Sequence, residues 1–251
     1  MSKQRVVIVT GGAGGMGYAI AQKFVTQNDF VYVADLNQEA AEKVAKELGE
    51  NTKGIALDVT NEENVQAVIQ AIVEEKGSVD VLINNAGLQY RSALEEFPLD
   101  KWNLLINVML TGVFLMTKHV FPYMKKNQFG RIVNISSIHG RLASPEKVAY
   151  VAAKHGVIGV TSVTALEGAP FNITANSILP GPVLTPLLER QLNDLKSVGK
   201  TEQEALETIM YPRQAMKRFI SPEEVASGVA YLAANEASGI TGEHLSVSGG
   251  M

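Results

Sequence analysis

Two hydrophobic periods alternate along the chain. Short runs dense in Val and Ile, at 5–10, 30–35, 54–58, 79–84, 131–136, 173–179 and 244–247, predict seven strands. Several are apolar throughout, the pattern of strands covered on both faces. Between them, 38–48 and 61–75 set charged faces against Ala, Val and Ile, and 99–126 and 148–168 are longer helical patterns. The alternation predicts right-handed βαβ crossovers and an α/β, doubly wound parallel sheet of seven strands in a single domain spanning 1–251. The stretch 186–218 breaks the rhythm. It reads as one or two amphipathic helices inserted before the last βα unit, either a surface excursion or a small helical lid over a ligand. Its length favours the lid. Thr201–Glu204 and Ser221–Glu224 have the form of capping boxes, the second with Pro222 at the first helical position.

Composition narrows the class. Of 251 residues, 46% are apolar and 19% charged, which suits a large core and excludes a disordered chain. A net charge of −4 argues against nucleic acid or an anionic membrane as partner. Without cysteine there is no disulfide, thiolate metal site or cysteine nucleophile, and the four histidines form no zinc pattern, so no metal is expected. Uninterrupted apolar runs fall short of the roughly 18 residues of a membrane span. The opening M-S-K-Q-R-V-V-I-V-T reads as a strand leading into glycines, not a signal peptide, and the expected location is cytoplasmic.

The chemistry sits at strand ends. The first strand runs into T-G-G-A-G-G-M-G, with Gly11, Gly15 and Gly17 spaced G-x-x-x-G-x-G before a helix. Glycines here let backbone N–H groups approach a pyrophosphate at the helix N-terminus, although a flexible turn shows the same residues. Asp35 ends the second strand, 18 residues after Gly17, near the offset of an acid that holds ribose hydroxyls. A carboxylate there repels a 2′-phosphate, and neither Gly14 nor Leu36 offers a compensating cation, so NAD is expected over NADP. Asp58-Val59 and Asn84-Asn85-Ala86-Gly87 follow the third and fourth strands, again where doubly wound sheets bind ligands. Tyr150 and Lys154 are four apart and share a helix face, and Ser137 lies 13 residues before Tyr150.

Taken in order, T-G-G-A-G-G-M-G, Asp35, Asp58-Val59, N-N-A-G, Asn107, I-S-S at 135–137, Tyr150, Lys154 and P-G-P-V-L-T at 180–185 resemble the short-chain dehydrogenase/reductase family over nearly the whole chain. The resemblance implies a Rossmann-type fold and an NAD-dependent oxidoreductase acting on a small secondary alcohol or ketone. It makes Tyr150 the acid/base, Lys154 its electrostatic partner, Ser137 the holder of the substrate oxygen and Asn107 the anchor of a water relay to Lys154. It assigns the cofactor to Gly11, Gly14, Gly15, Met16, Gly17, Asp35, Leu36, Asp58, Val59, Asn85, Ala86, Gly87, Tyr150, Lys154, Pro180, Gly181, Val183 and Thr185. It also implies a homo-oligomer, dimer or tetramer, pairing through the two long helices.

Within the family, 139–159, 95–102 and 185–191 look closest to bacterial D-3-hydroxybutyrate dehydrogenases. That likeness implies a carboxylate held by Gln89, His139, Lys147 and Gln191, beside Ser137 and Tyr150. Each also has a plain reading: a solvated lysine at a helix start, a loop-capping histidine, an exposed loop glutamine, the outer face of a lid. The subgroup usually carries Trp where Pro182 and Met251 stand here, so the apolar wall of the pocket differs. The alternatives are a reductase of acetoin, sugar or a 3-oxoacyl thioester, and a non-catalytic NAD-binding regulator. The first group of alternatives lacks a need for the four carboxylate donors, and the intact Ser137, Tyr150 and Lys154 argue against the last.

Overall fold

The computed structural model of the chain describes residues 4–209 and 214–251. Seven strands, β1 (Val6–Thr10), β2 (Phe30–Asp35), β3 (Thr52–Ala56), β4 (Val81–Asn84), β5 (Gly130–Ile135), β6 (Ile173–Pro180) and β7 (His244–Val247), form one all-parallel sheet in the order β3-β2-β1-β4-β5-β6-β7. This is the Rossmann-like arrangement with helices on both faces. Alternate residues of each strand serve different faces. Val7, Val9, Val31, Val33, Val81 and Ile83 pack under α1 (Gly15–Thr26), α2 (Gln38–Leu48) and α9 (Pro222–Leu232). Val6, Ile8, Tyr32, Ala34, Leu82 and Ile132 pack under α3 (Glu62–Lys76), α5 (Gly112–Asn127) and α6 (Val148–Gly168). Two buried faces explain why the strands read as continuous apolar runs.

Boundaries differ from the sequence reading where polar side chains end an element. β3 begins two residues earlier and stops at Ala56. Its register pairs Thr52–Ala56 with Val31–Asp35, and the Asp58 carboxylate turns instead to Thr60, accepting from its N–H at 2.9 Å and its hydroxyl at 2.7 Å. Both capping boxes form: Ser221 Oγ accepts from Glu224 N at 3.2 Å, and Thr201 Oγ1 from Glu204 N at 3.2 Å, with each glutamate returning a bond to its cap. The segment after β6 contains α7 (Pro186–Ser197) and α8 (Glu202–Ile209), two helices as the pattern allowed.

The long helix holds the main departure. α4 (Leu99–Ile106) runs into a π-helical turn, Asn107–Thr111, and then into α5. The Gly112 N–H reaches back five residues to the Asn107 carbonyl. The combined helix Leu99–Asn127 is long and apolar enough to cross a membrane by length and composition alone, which the short uninterrupted runs did not suggest. A stripe of Leu105, Met109, Val113, Met116 and Val120 is buried within the protein.

Candidate active site

The strand order reverses between β1 and β4, and a crevice opens above their carboxyl ends. Thr10 and Asn85 tie its two sides together. Thr10 Oγ1 accepts from the N–H groups of Asn85 at 3.0 Å and Ala86 at 3.1 Å, and Asn85 Nδ2 donates to the Thr10 and Gly11 carbonyls at 3.0 and 3.1 Å. The glycines divide by task. A side chain at Gly17 would collide with the Gly11 carbonyl, and one at Gly11 would lie 2.9 Å from Ala86 Cα, so these two serve packing. A side chain at Gly14 would meet nothing, so what the bare backbone gives there is access. Gly14 also caps α1 without a side-chain bond, and no acid stands in the first turn, whereas Asn37, Asn61 and Ser221 cap α2, α3 and α9. The free N–H groups at the α1 N-terminus therefore face the crevice, as an anionic pyrophosphate requires.

This crevice has a volume of about 350 Å³ and is walled by Gly11, Gly14, Gly15, Met16, Asp35, Asn85, Gly87, Tyr150, Lys154 and Thr185. Asp35 is fixed there, one oxygen accepting from Ala13 N at 3.2 Å and the other from Asn37 N at 3.2 Å. Lys154 is the one basic residue on the described wall of this crevice. The donor set fits a nicotinamide dinucleotide. Several expected cofactor residues stand off the wall. Leu36 points to solvent at 74% exposure, Asp58 is engaged with Thr60, and Val59 is buried against Gly112. Ala86 and Gly17 act through backbone packing around Gly11.

Tyr150 and Lys154 lie one turn apart on α6. Lys154 Nζ donates to the Ile135 carbonyl at 2.7 Å and sits 5.7 Å from the Tyr150 ring centre. Burial lowers its pKa to about 8. Ser137 follows β5 and caps the short 3₁₀ turn Ile138–Gly140, its Oγ accepting from His139 N at 3.1 Å. His139 packs edge-on to Tyr150, ring centres 5.7 Å apart. Burial, reinforced by the Lys147 and His155 charges, pushes its pKa down to about 3, so it is a neutral imidazole at physiological pH.

Asn107, the expected relay anchor, opens the π turn of the long helix. It is exposed on the helix surface, off the buried stripe, and lines neither cavity. Two residues on, nearly opposite around the helix axis, Met109 is fully buried and lines the crevice with Tyr150 and Lys154, its sulfur turned toward Gly87. The spacing of apolar positions at 105, 109, 113, 116 and 120 is the signal that places Met109, not Asn107, on the inward face. Leu88 and Ser136 are further wall residues that sequence reasoning missed.

A second cavity of about 120 Å³ joins the first at Met16, Ser136, Tyr150 and Thr185. Gln89, Ser137, His139, Lys147 and Tyr150 are among its polar lining residues, and Pro180, Gly181, Pro182, Val183 and Leu188 are among the rest of its wall. Lys147 is held below its ordinary pKa, at about 8, first by burial and then by Arg91, partly offset by Glu146. Arg91 and Glu146 form an ion pair between the loop that carries Gln89 and the loop that carries Lys147. Three of the four expected carboxylate donors thus share one cavity. Gln191 is on α7, but its side chain lies outside the described residues. Pro182 is a wall residue; Met251 is not.

The model of the family described as short chain dehydrogenase matches residues 5–196. An uncharacterized oxidoreductase of Bacillus subtilis is 44% identical over 99% of this chain and 98% of its own length. A D-beta-hydroxybutyrate dehydrogenase of Rhizobium meliloti is 38% identical over 98% of each chain. A 3-oxoacyl-[acyl-carrier-protein] reductase of Vibrio harveyi is also 38% identical, over 98% of this chain and 97% of its own. Among solved structures, the ligand-free aldohexose dehydrogenase of Thermoplasma acidophilum is similar with a TM-score of 0.87 and 36% identity, covering 99% of this chain and 94% of that one.

Proposed function

The chain belongs to the short-chain dehydrogenase family and is an oxidoreductase, and from that premise we propose that it interconverts (R)-3-hydroxybutyrate and acetoacetate with NAD. One observation carries the substrate: in a cavity of only about 120 Å³, Gln89 and Lys147 face the same space as Ser137 and Tyr150. A four-carbon hydroxy acid suits that volume, with its carboxylate at Lys147 and its reacting oxygen at Tyr150. A buried carboxylate needs such partners, because burial without them is costly. Asp35 supports NAD, since its carboxylate hydrogen-bonds the ribose hydroxyls of one dinucleotide and repels the 2′-phosphate of the other.

A nicotinamide cofactor held by the α1 N-terminus, Asp35 and Lys154 would supply or take up the hydride. Tyr150 gives its phenolic proton to the carbonyl oxygen in reduction and takes the hydroxyl proton in oxidation. Its ordinary pKa, about 10, is too high for a base at neutral pH, and the Lys154 ammonium stabilises the phenolate. Ser137 donates a hydrogen bond to the same substrate oxygen. Leu188, near the start of α7, lines the cavity, which supports α7 with α8 as the lid within the single 1–251 domain. The protein works as a homo-oligomer, supported by exposed Leu104 and Phe114 on the long helix and Val163 and Leu166 on α6.

Lys147→Ala tests the substrate. It lowers kcat/KM for 3-hydroxybutyrate by about 1.5–3 kcal/mol, the range for hydrogen bonds to charged groups, and leaves acetoin unchanged. Equal effects on both refute the carboxylate site. The second reading, a 3-oxoacyl thioester reductase, has the equally similar Vibrio harveyi relative in its favour, and the small cavity against it.

A further inference from the structure

His139 stands in the middle of a three-residue chain. Nδ1 lies 3.4 Å from Ser137 Oγ, and Nε2 lies 2.9 Å from Ser144 Oγ. A neutral imidazole carries one N–H, so two proton arrangements fit these distances. With the proton on Nε2, His139 donates to Ser144 and accepts the Ser137 hydroxyl proton at Nδ1. Ser137 then has no proton for a substrate oxygen. With the proton on Nδ1, Ser144 donates to Nε2 and His139 donates to Ser137. Ser137 Oγ then receives two donors, Nδ1–H and the His139 backbone N–H at 3.1 Å, and its own proton is left for the cavity that it lines.

We propose that Ser144 is a positioning residue: by donating to His139 Nε2 it fixes the Nδ1–H tautomer, and so aims the Ser137 hydroxyl proton at the substrate oxygen. This rests on Ser137 as the donor of the proposed function. It also changes the part played by His139, because neither tautomer spares an N–H for a carboxylate while Ser137 and Ser144 hold their places. His139 is then a fixed link in the donor chain, and Gln89 and Lys147 carry the head group. Ser144 is well placed for this, since it lies on the wall of a neighbouring surface groove rather than of the substrate cavity. Burial keeps the imidazole neutral, without which the choice of tautomer would vanish.

The test is ¹⁵N-histidine labelling of the whole protein, with two-bond ¹⁵N–¹H spectra at pH 7. His139 is assigned among the four histidines by its loss in His139→Gln. The parent shows the Nδ1–H pattern. Ser144→Ala moves it toward Nε2–H and lowers kcat roughly five- to tenfold, one hydrogen bond's worth, with KM for 3-hydroxybutyrate changed less than twofold. Ser144→Thr, which keeps the hydroxyl, restores both. An Nε2–H pattern in the parent, an unchanged spectrum in Ser144→Ala, or a loss confined to KM overturns the proposal. The spectra read the tautomer without reference to turnover. Failure of Ser137 as a donor is reported separately, by undiminished turnover in Ser137→Ala.

Discussion

Lys154 holds its ammonium 5.7 Å from the centre of the Tyr150 ring while donating to the Ile135 carbonyl at 2.7 Å, at the junction of α6 with the end of β5. The pair is therefore built by two elements, and the sheet fixes where the charge sits. Tyr150→Phe keeps the volume and removes the proton. It costs ~10²–10⁴-fold in kcat, as general acid–base catalysis is worth, with NADH binding nearly unchanged by fluorescence titration.

Lys154 is also a stability cost. Burial lowers its folded pKa to about 8 from an ordinary value near 10.5. At pH 7 both folded and unfolded chains are protonated there, so the cost of the buried ammonium is fully present. Between about pH 8 and 10.5 the unfolded chain binds the extra proton, and this group's contribution to stability rises with pH. Lys154→Met accordingly melts at or above the parent temperature at pH 7, and its advantage shrinks as pH rises past 8. Differential scanning calorimetry across pH 7–9.5 reads this; an advantage that grows with pH contradicts it.

Lys147 carries the opposite kind of signature, in binding. Its pKa of about 8 leaves an ammonium below that pH and a neutral amine above it. KM for 3-hydroxybutyrate should rise as pH climbs through 8, whereas KM for uncharged acetoin should not follow. Initial rates from pH 6.5 to 9 distinguish the two.

Cofactor choice rests on Asp35. NAD should be preferred over NADP by more than tenfold in kcat/KM, at least about 1.4 kcal/mol, and Asp35→Ala should weaken NAD and narrow the gap. Comparable constants for both cofactors in the parent would remove the argument from the carboxylate.

The long helix offers a fifth check. Asn107→Ala, at an exposed position, changes stability by no more than about 0.5 kcal/mol and turnover by less than twofold. Met109→Ala opens space beneath the crevice and costs about 2–5 kcal/mol by denaturant unfolding. A large loss of turnover in Asn107→Ala would return that side chain to the reaction.

The central strands were readable because both faces of the sheet are buried there, so most announce themselves as apolar runs, whereas the edge strands β3 and β7 are only partly buried. Asp35, Ser137, Tyr150 and Lys154 were readable because each falls at a strand end or one helix turn from its partner. The expectation for Asn107 came from a motif match, which carries no information about helix phase, and the π turn beginning at that residue alters the phase further. The engagement of His139 by Ser144 was illegible for another reason. The two are five residues apart in a loop with no period, and only the folded path of 138–147 brings Oγ to 2.9 Å from Nε2. The ion pair of Arg91 with Glu146 spans 55 positions and is likewise a product of the fold.

The measurement closest to the central claim is the initial rate of NADH formation or consumption by the parent enzyme against a matched panel: both enantiomers of 3-hydroxybutyrate, acetoacetate, acetoin, glucose and a 3-oxoacyl thioester. The account predicts the highest kcat/KM for (R)-3-hydroxybutyrate and acetoacetate, with the (S) enantiomer far behind. A higher kcat/KM for acetoin, glucose or the thioester would contradict it, and would turn attention to the wall at Pro182, where the pocket departs from the enzymes that it resembles.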